Sequence, residues 1–165
     1  MAEILEYGQI FFQNFEPKMK NRFVLSFADV NIAAYTVKAA NRPTIAFEKV
    51  TMDHINVKRH LKGKGEWQDI TLTLYDPIVP SAAQAVMDWI RLSHESITGR
   101  DGYADFYKKQ VVIKMLGPVG DVIEQWTLHG AFITNANFGE LDWSNATDPA
   151  DIVLTLTYDY AVLEY

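Results

Sequence analysis

Hydrophobic residues return at every second position along much of this chain, and that pattern constrains its fold more than any other feature. In Asp69–Tyr75, Ile70, Leu72 and Leu74 face one way and Thr71 and Thr73 the other. Ile152, Leu154, Leu156, Tyr158 and Tyr160 oppose Val153, Thr155, Thr157 and Asp159, and Phe23, Leu25 and Phe27 oppose Arg22 and Ser26. Such alternation is the mark of antiparallel strands with one dry face. Lys109–Leu116 and Val122–His129 flank Gly117-Pro118-Val119-Gly120 and read as a hairpin. Ile45–Met52 and Ala131–Ala136 complete a mainly β frame of about seven strands, an antiparallel sandwich or barrel.

One segment changes period. Ser81 stands three residues before Gln84, a capping-box spacing, and Val86, Trp89, Ile90 and Ser93 then share a helical face. One flanking helix is therefore predicted over about 81–96, after Pro77 and Pro80 have stopped the preceding strand. Asp53–Glu66 reads as a long loop in which the basic residues concentrate: Lys58, Arg59, Lys62 and Lys64, together with His54 and His60. A long loop on a compact sheet is usually functional, so this is the first candidate contact surface. No linker, repeat or low-complexity tract divides the chain, and 165 residues suit a single domain over 1–165.

The chain has no cysteine, which excludes disulfides, thiolate metal sites and a cysteine nucleophile. Fifteen Lys and Arg against 21 Asp and Glu leave a net charge of −6, so there is no general attraction to nucleic acid or anionic membrane. The N-terminus lacks the pattern of a secretory signal and no apolar run is long enough to span a bilayer, so no membrane anchor is expected and the chain is expected to stay in, or assemble from, a cytoplasm. His54 and His60 beside Asp53 match no metal motif, and the surrounding cations oppose one. Gly63-Lys64-Gly65 lacks the frame of a phosphate loop. The paired acids, Asp101/Asp105, Asp121/Glu124, Glu140/Asp142 and Asp148/Asp151, sit in turn-like sequence and read as solvated. No catalytic constellation and no cofactor site are visible. Nine Phe, eight Tyr and four Trp are many for so small a chain and fit either sheet packing or a self-associating surface.

The order of these pieces resembles the tail tube proteins of contractile-tailed bacteriophages, which are related to type VI secretion tube proteins. The resemblance is carried by Asn21-Arg22-Phe23-Val24-Leu25-Ser26-Phe27, Ala39-Ala40-Asn41-Arg42-Pro43, Trp67-Gln68-Asp69-Ile70-Thr71-Leu72-Thr73-Leu74-Tyr75-Asp76, Met87-Asp88-Trp89, Gly139-Glu140-Leu141-Asp142-Trp143 and Leu154-Thr155-Leu156-Thr157-Tyr158-Asp159-Tyr160. It implies a subunit that forms hexameric rings stacked into a hollow tube in the virion, assembled in the host bacterial cytoplasm. Its partners would be other copies of itself, the tail sheath protein, the baseplate or tube initiator and the tail terminator, with DNA passing through the lumen without specific binding. Thr71, Thr73, Thr155, Thr157 and Asp159 are candidate lumen-facing positions. Phe11, Phe12, Phe15, His54, Lys58, Arg59, Lys62 and Lys64 are candidates for contacts between rings or subunits, with Asp148 and Asp151 as acidic counterparts. The alternatives are a tube protein of a phage-derived bacteriocin or a type VI secretion-like machine, and, from a different class, a monomeric β-barrel that binds a small apolar ligand.

Overall fold

A computed structural model of the chain describes residues 16–165. The expected contacts through Phe11, Phe12 and Phe15 lie outside the described residues. In chain order the strands are β1 (Phe23–Phe27), β2 (Val37–Ala40), β3 (Thr44–His54), β4 (Val57–Gln68), β5 (Ile70–Tyr75), β6 (Lys109–Leu116), β7 (Val122–Asn137), β8 (Asp151–Thr157) and β9 (Tyr160–Leu163). Helix α1 (Ala82–Ser93) and a single turn α2 (Ala104–Tyr107) lie between β5 and β6, and a 3-10 turn covers Ala34–Thr36.

The fold is mainly β, as the alternation predicts. Seven strands form one antiparallel sheet in the order β1-β6-β7-β8-β5-β2, with β9 also on β7, and β3 and β4 form a second, two-stranded sheet. Strand β7 is continuous through the two segments that the sequence suggested separately. It pairs with β6 along its first half and with β8 along its second. β9 continues the line of β8 along β7, since Thr157 lies opposite Phe132 and Tyr160 opposite His129.

The seven-stranded sheet bends at Gly130 and Asp159. Gly130 has φ +68, a left-handed conformation that glycine adopts at no steric cost, and a Cβ there would meet the Asp159 carboxylate. The bend also breaks the alternation. Tyr158 is buried in phase with Ile152, Leu154 and Leu156, whereas Tyr160, expected on the same face, is exposed.

Across the bend the two halves of the sheet bury one core. Leu25, Val111, Ile113 and Leu128 come from one half, and Leu72, Leu74, Ile152, Leu154 and Leu156 from the other. Each such buried side chain contributes on the order of 2 kcal/mol. Helix α1 adds Val86 and Trp89 to this core. The Trp89 indole donates to the Tyr107 carbonyl at 2.7 Å and meets Phe27 edge-on at 5.9 Å.

Only half of the expected capping box forms. Ser81 Oγ accepts from the Gln84 N–H at 3.4 Å, and Asp76 Oδ1 takes the Ala82 and Ala83 N–H groups at 3.1 and 3.2 Å. The helix stops at Ser93, before the predicted Ser96. His94 closes it and turns toward Asp101, with Nδ1 and Oδ1 2.8 Å apart.

In place of the long loop expected over Asp53–Glu66, the structure has a paired hairpin. These residues are the outer part of a β-ribbon in which Ile45 pairs with Trp67, Val50 with Leu61 and His54 with Val57. The ribbon prolongs the β2–β5 pair beyond the sheet, because β2 runs into β3 and β4 into β5 with almost unbroken register. Its eleven-residue strand β3 can project up to about 35 Å.

Candidate functional site: a projecting ribbon and the opposite end of the sheet

The ribbon sorts its side chains by face. In its outer half, Val50/Leu61, Met52/Arg59 and His54/Val57 share one face, and Lys49/Lys62, Thr51/His60 and Asp53/Lys58 share the other. The first face is largely apolar, and Val50, Met52, Val57 and Leu61 are all about half-exposed or more. Met52, Val57, Arg59 and Leu61 line a shallow groove on it. The second face is largely basic. A two-stranded ribbon alone is marginal in water, and this amphipathic one is left open by the rest of the described chain.

Gly63-Lys64-Gly65, which superficially suggested phosphate binding, has a packing role. A Cβ on Gly65 would sit 2.7 Å from the Phe47 ring, so the missing side chain makes room for that ring across β4. Lys62 Nζ lies 4.7 Å from the centre of the same ring. At the base of the ribbon Trp67 packs on buried Tyr158, with ring centres 6.0 Å apart. At the tip, Ile55 has φ +52 and is 91% exposed. A β-branched residue in the left-handed region is strained, and strain of this kind concentrates at functional positions.

The topology puts a second feature at the far end. Strand β5 starts at Ile70, opposite Leu156, where the ribbon leaves the sheet, and ends at Tyr75, opposite Asp151. The connection from β7 to β8 therefore lies at the end of the sheet away from the ribbon. Between Asn137 and Asp151 it carries Glu140, Asp142, Asp148 and Asp151 and no Lys, Arg or His. Leu141 is 94% exposed and Trp143 is fully exposed. The Ser144 backbone N–H, and then its hydroxyl, hold the Asp142 carboxyl below its ordinary range.

Asp148 and Asp151, read from the sequence as solvated turn acids and as acidic counterparts between rings, both have partners in the chain. Asp151 takes a bond from Lys38 at 2.6 Å, and Asp148 accepts from Asn145 at 3.0 Å. The bond to Asp151 holds the Lys38 ammonium above its ordinary value.

Of the residues proposed for a lumen, the structure brings four together. Thr71 lies opposite Thr155, and Thr73 opposite Val153, on the outer face of the half-sheet β2-β5-β8-β7. The Thr157 hydroxyl reaches Asp69 at 2.8 Å. Lys38 is the one basic residue in these strand segments, and it is paired to Asp151. Asp159 lies apart from the row, at the bend, where Lys108 holds both its oxygens at 2.8 and 2.9 Å. The outer edges of β2 and of the second half of β7 have no strand partner among the described residues.

Sequence reasoning missed Glu124. Read as a solvated turn acid, it is 6% exposed and points inward beside Met115. Burial raises its pKa, but the Lys18 ammonium and the Trp126 indole donate to it, Arg42 adds charge at 3.4 Å, and together they hold it below the usual glutamate range. The signal was there: alternation across Val122–His129 places Glu124 with Trp126 and Leu128. Among the described residues no group of three or more His, Cys, Asp or Glu could hold a metal.

No family model matches the chain. It is 25% identical over 130 residues to the tail tube protein gp19 of Enterobacteria phage T4, covering 76% of this chain and 78% of that one. Its fold matches a sheath/tube terminator of an extracellular contractile injection system (PVC) with TM-score 0.73 at 20% identity, over 93% of this chain and all of the other. It extends to a type six secretion system protein with TM-score 0.54 at 6% identity, over 87% and 83% of the two chains. These likenesses show a fold shared with proteins of contractile injection systems, together with a distant sequence relationship to a phage tail tube protein. The chain is a distant relative of the phage tail tube protein gp19.

Proposed function

We propose that this chain is the tube subunit of a contractile phage tail. Six copies close into a ring, rings stack into a hollow tube inside a sheath, and DNA passes through the lumen. The observation that carries this reading is the polarity of the subunit: a basic and apolar ribbon leaves one end of the sheet, and an acidic and apolar connection sits at the other. Unlike ends on one molecule favour head-to-tail contacts, which generate open stacks. The open edges of β2 and β7 suit closure by neighbours within a ring, which would remove an aggregation liability. The threonine row with its single, neutralised lysine suits a wall past which phosphate slides without adhering. Baseplate, terminator and sheath proteins would be the remaining partners, as the resemblance implies.

Electron microscopy of the purified full chain, concentrated stepwise, tests the reading. Tubes, or stacked rings once a baseplate initiator is added, are expected. A chain that stays monomeric in both conditions contradicts it. A second reading has support in the fold match to a sheath/tube terminator. A terminator would stop at single rings in the same experiment and would bind the end of a preformed tube.

A further inference from the structure

We infer that the open apolar face of the β3–β4 ribbon seats on the Leu141–Trp143 connection of a second copy of this chain. The inference rests on the tube reading and names the receptor in its axial contact. Three observations point to this occupant. The ribbon's apolar face, Val50, Met52, Val57 and Leu61, is uncovered by the described chain, while the opposite end of the sheet exposes Leu141 and Trp143. Large aromatics in a polar rim are the usual energetic anchors of an interface.

The charges around the two patches are opposite. On the ribbon, Arg59 shares the apolar face, while Lys49, Lys58 and Lys62 lie on the other face beside Asp53 and leave the ribbon net basic; the connection brings Glu140, Asp142 and Asp148 with no cation of its own. The two patches also lie at opposite ends of the same strands, so a translation along the strand direction brings unlike ends together without a two-fold axis. Ile55 adds a further sign. An exposed, apolar, β-branched residue held at φ +52 at the very tip costs the monomer stability, and a buried position in a partner gives it a use.

The chain has no cysteine, which makes a cross-linking test clean. Asn56→Cys and Ser144→Cys are introduced together in the full chain, assemblies are formed, and mild oxidant is added before a denaturing gel. A ladder of covalent multimers is expected from the double variant, with nothing beyond dimers from either single variant. Assemblies that form and give no ladder overturn this contact and leave the tube reading standing. A chain that never assembles, even with a baseplate initiator, overturns both. If residue 144 stays open to a thiol dye in complete tubes, the connection faces a different partner and the inference fails. Trp143→Ala gives an independent check: the concentration needed for assembly should rise at least tenfold with an unchanged monomer melting temperature. An unchanged assembly threshold would contradict the anchor role.

Discussion

Glu124 shows how far one residue can tie the chain together. Its carboxylate joins Lys18, just after the undescribed N-terminal residues, to Arg42, just before the ribbon. Hydrogen bonds to a buried charge are worth about 1.5–3 kcal/mol, so Glu124→Gln should destabilise the fold by about 2 kcal/mol in urea unfolding. The pH dependence has a definite sign. Because the folded pKa lies below the unfolded one, this stabilisation is fully present above the ordinary glutamate range. It is lost as pH falls through the folded value. Unfolding curves from pH 7 to pH 3 should show the wild type losing more stability than Glu124→Gln, and parallel curves would contradict the ion pairing. Ile55 makes the opposite case. Ile55→Asn relieves left-handed strain of about 1 kcal/mol, so the monomer should melt no lower than wild type while assembly weakens. A variant that melts lower and assembles normally would show that Ile55 serves the monomer alone.

At the scale of elements, the predictions concern how the ends and bends are fixed. Asp76 takes two helix N–H groups and Ser81 one, so Asp76→Ala should cost about 1–2 kcal/mol and Ser81→Ala well under 1. Equal costs in thermal unfolding would argue against shared capping. Gly130→Ala puts a methyl group against Asp159 at φ +68 and should cost about 1–2 kcal/mol, read by the same measurement. Elements that bury one face were legible in the sequence: β1, β5, β6 and β8 follow the alternation because a core lies on one side of each. The ribbon was not. Neither of its faces is buried by the described residues, its β4 strand reads Val57-Lys-Arg-His-Leu61-Lys-Gly-Lys-Gly65, and its irregular register between Phe47 and Lys49 scrambles the alternation. Its turn is Ile55-Asn56 and not an Asn-Gly pair, so the usual hairpin cue is missing as well. What marks it as a strand pair is its continuity with β2 and β5, which no local pattern can show.

At the scale of the molecule, two halves of a bent sheet and a helix make the core, and the features without a role in that core lie at its two ends. The concentration of cations in residues 53–66 and the Gly-Glu-Leu-Asp-Trp segment at 139–143 were both readable, but their placement at opposite ends of the sheet needed the topology. The threonine row was readable for the same reason as the core, being the wet side of dry strands. If these ends meet head to tail, charge reversal at one end should break the contact and reversal at both should restore it. Lys58→Glu, Arg59→Glu and Lys62→Glu in the full chain should leave the monomer folded and abolish stacked tubes in electron micrographs. Reversing Glu140, Asp142 and Asp148 to Lys in that same chain should restore them. Normal tubes from the first variant, or no recovery in the second with both folded, would contradict the account.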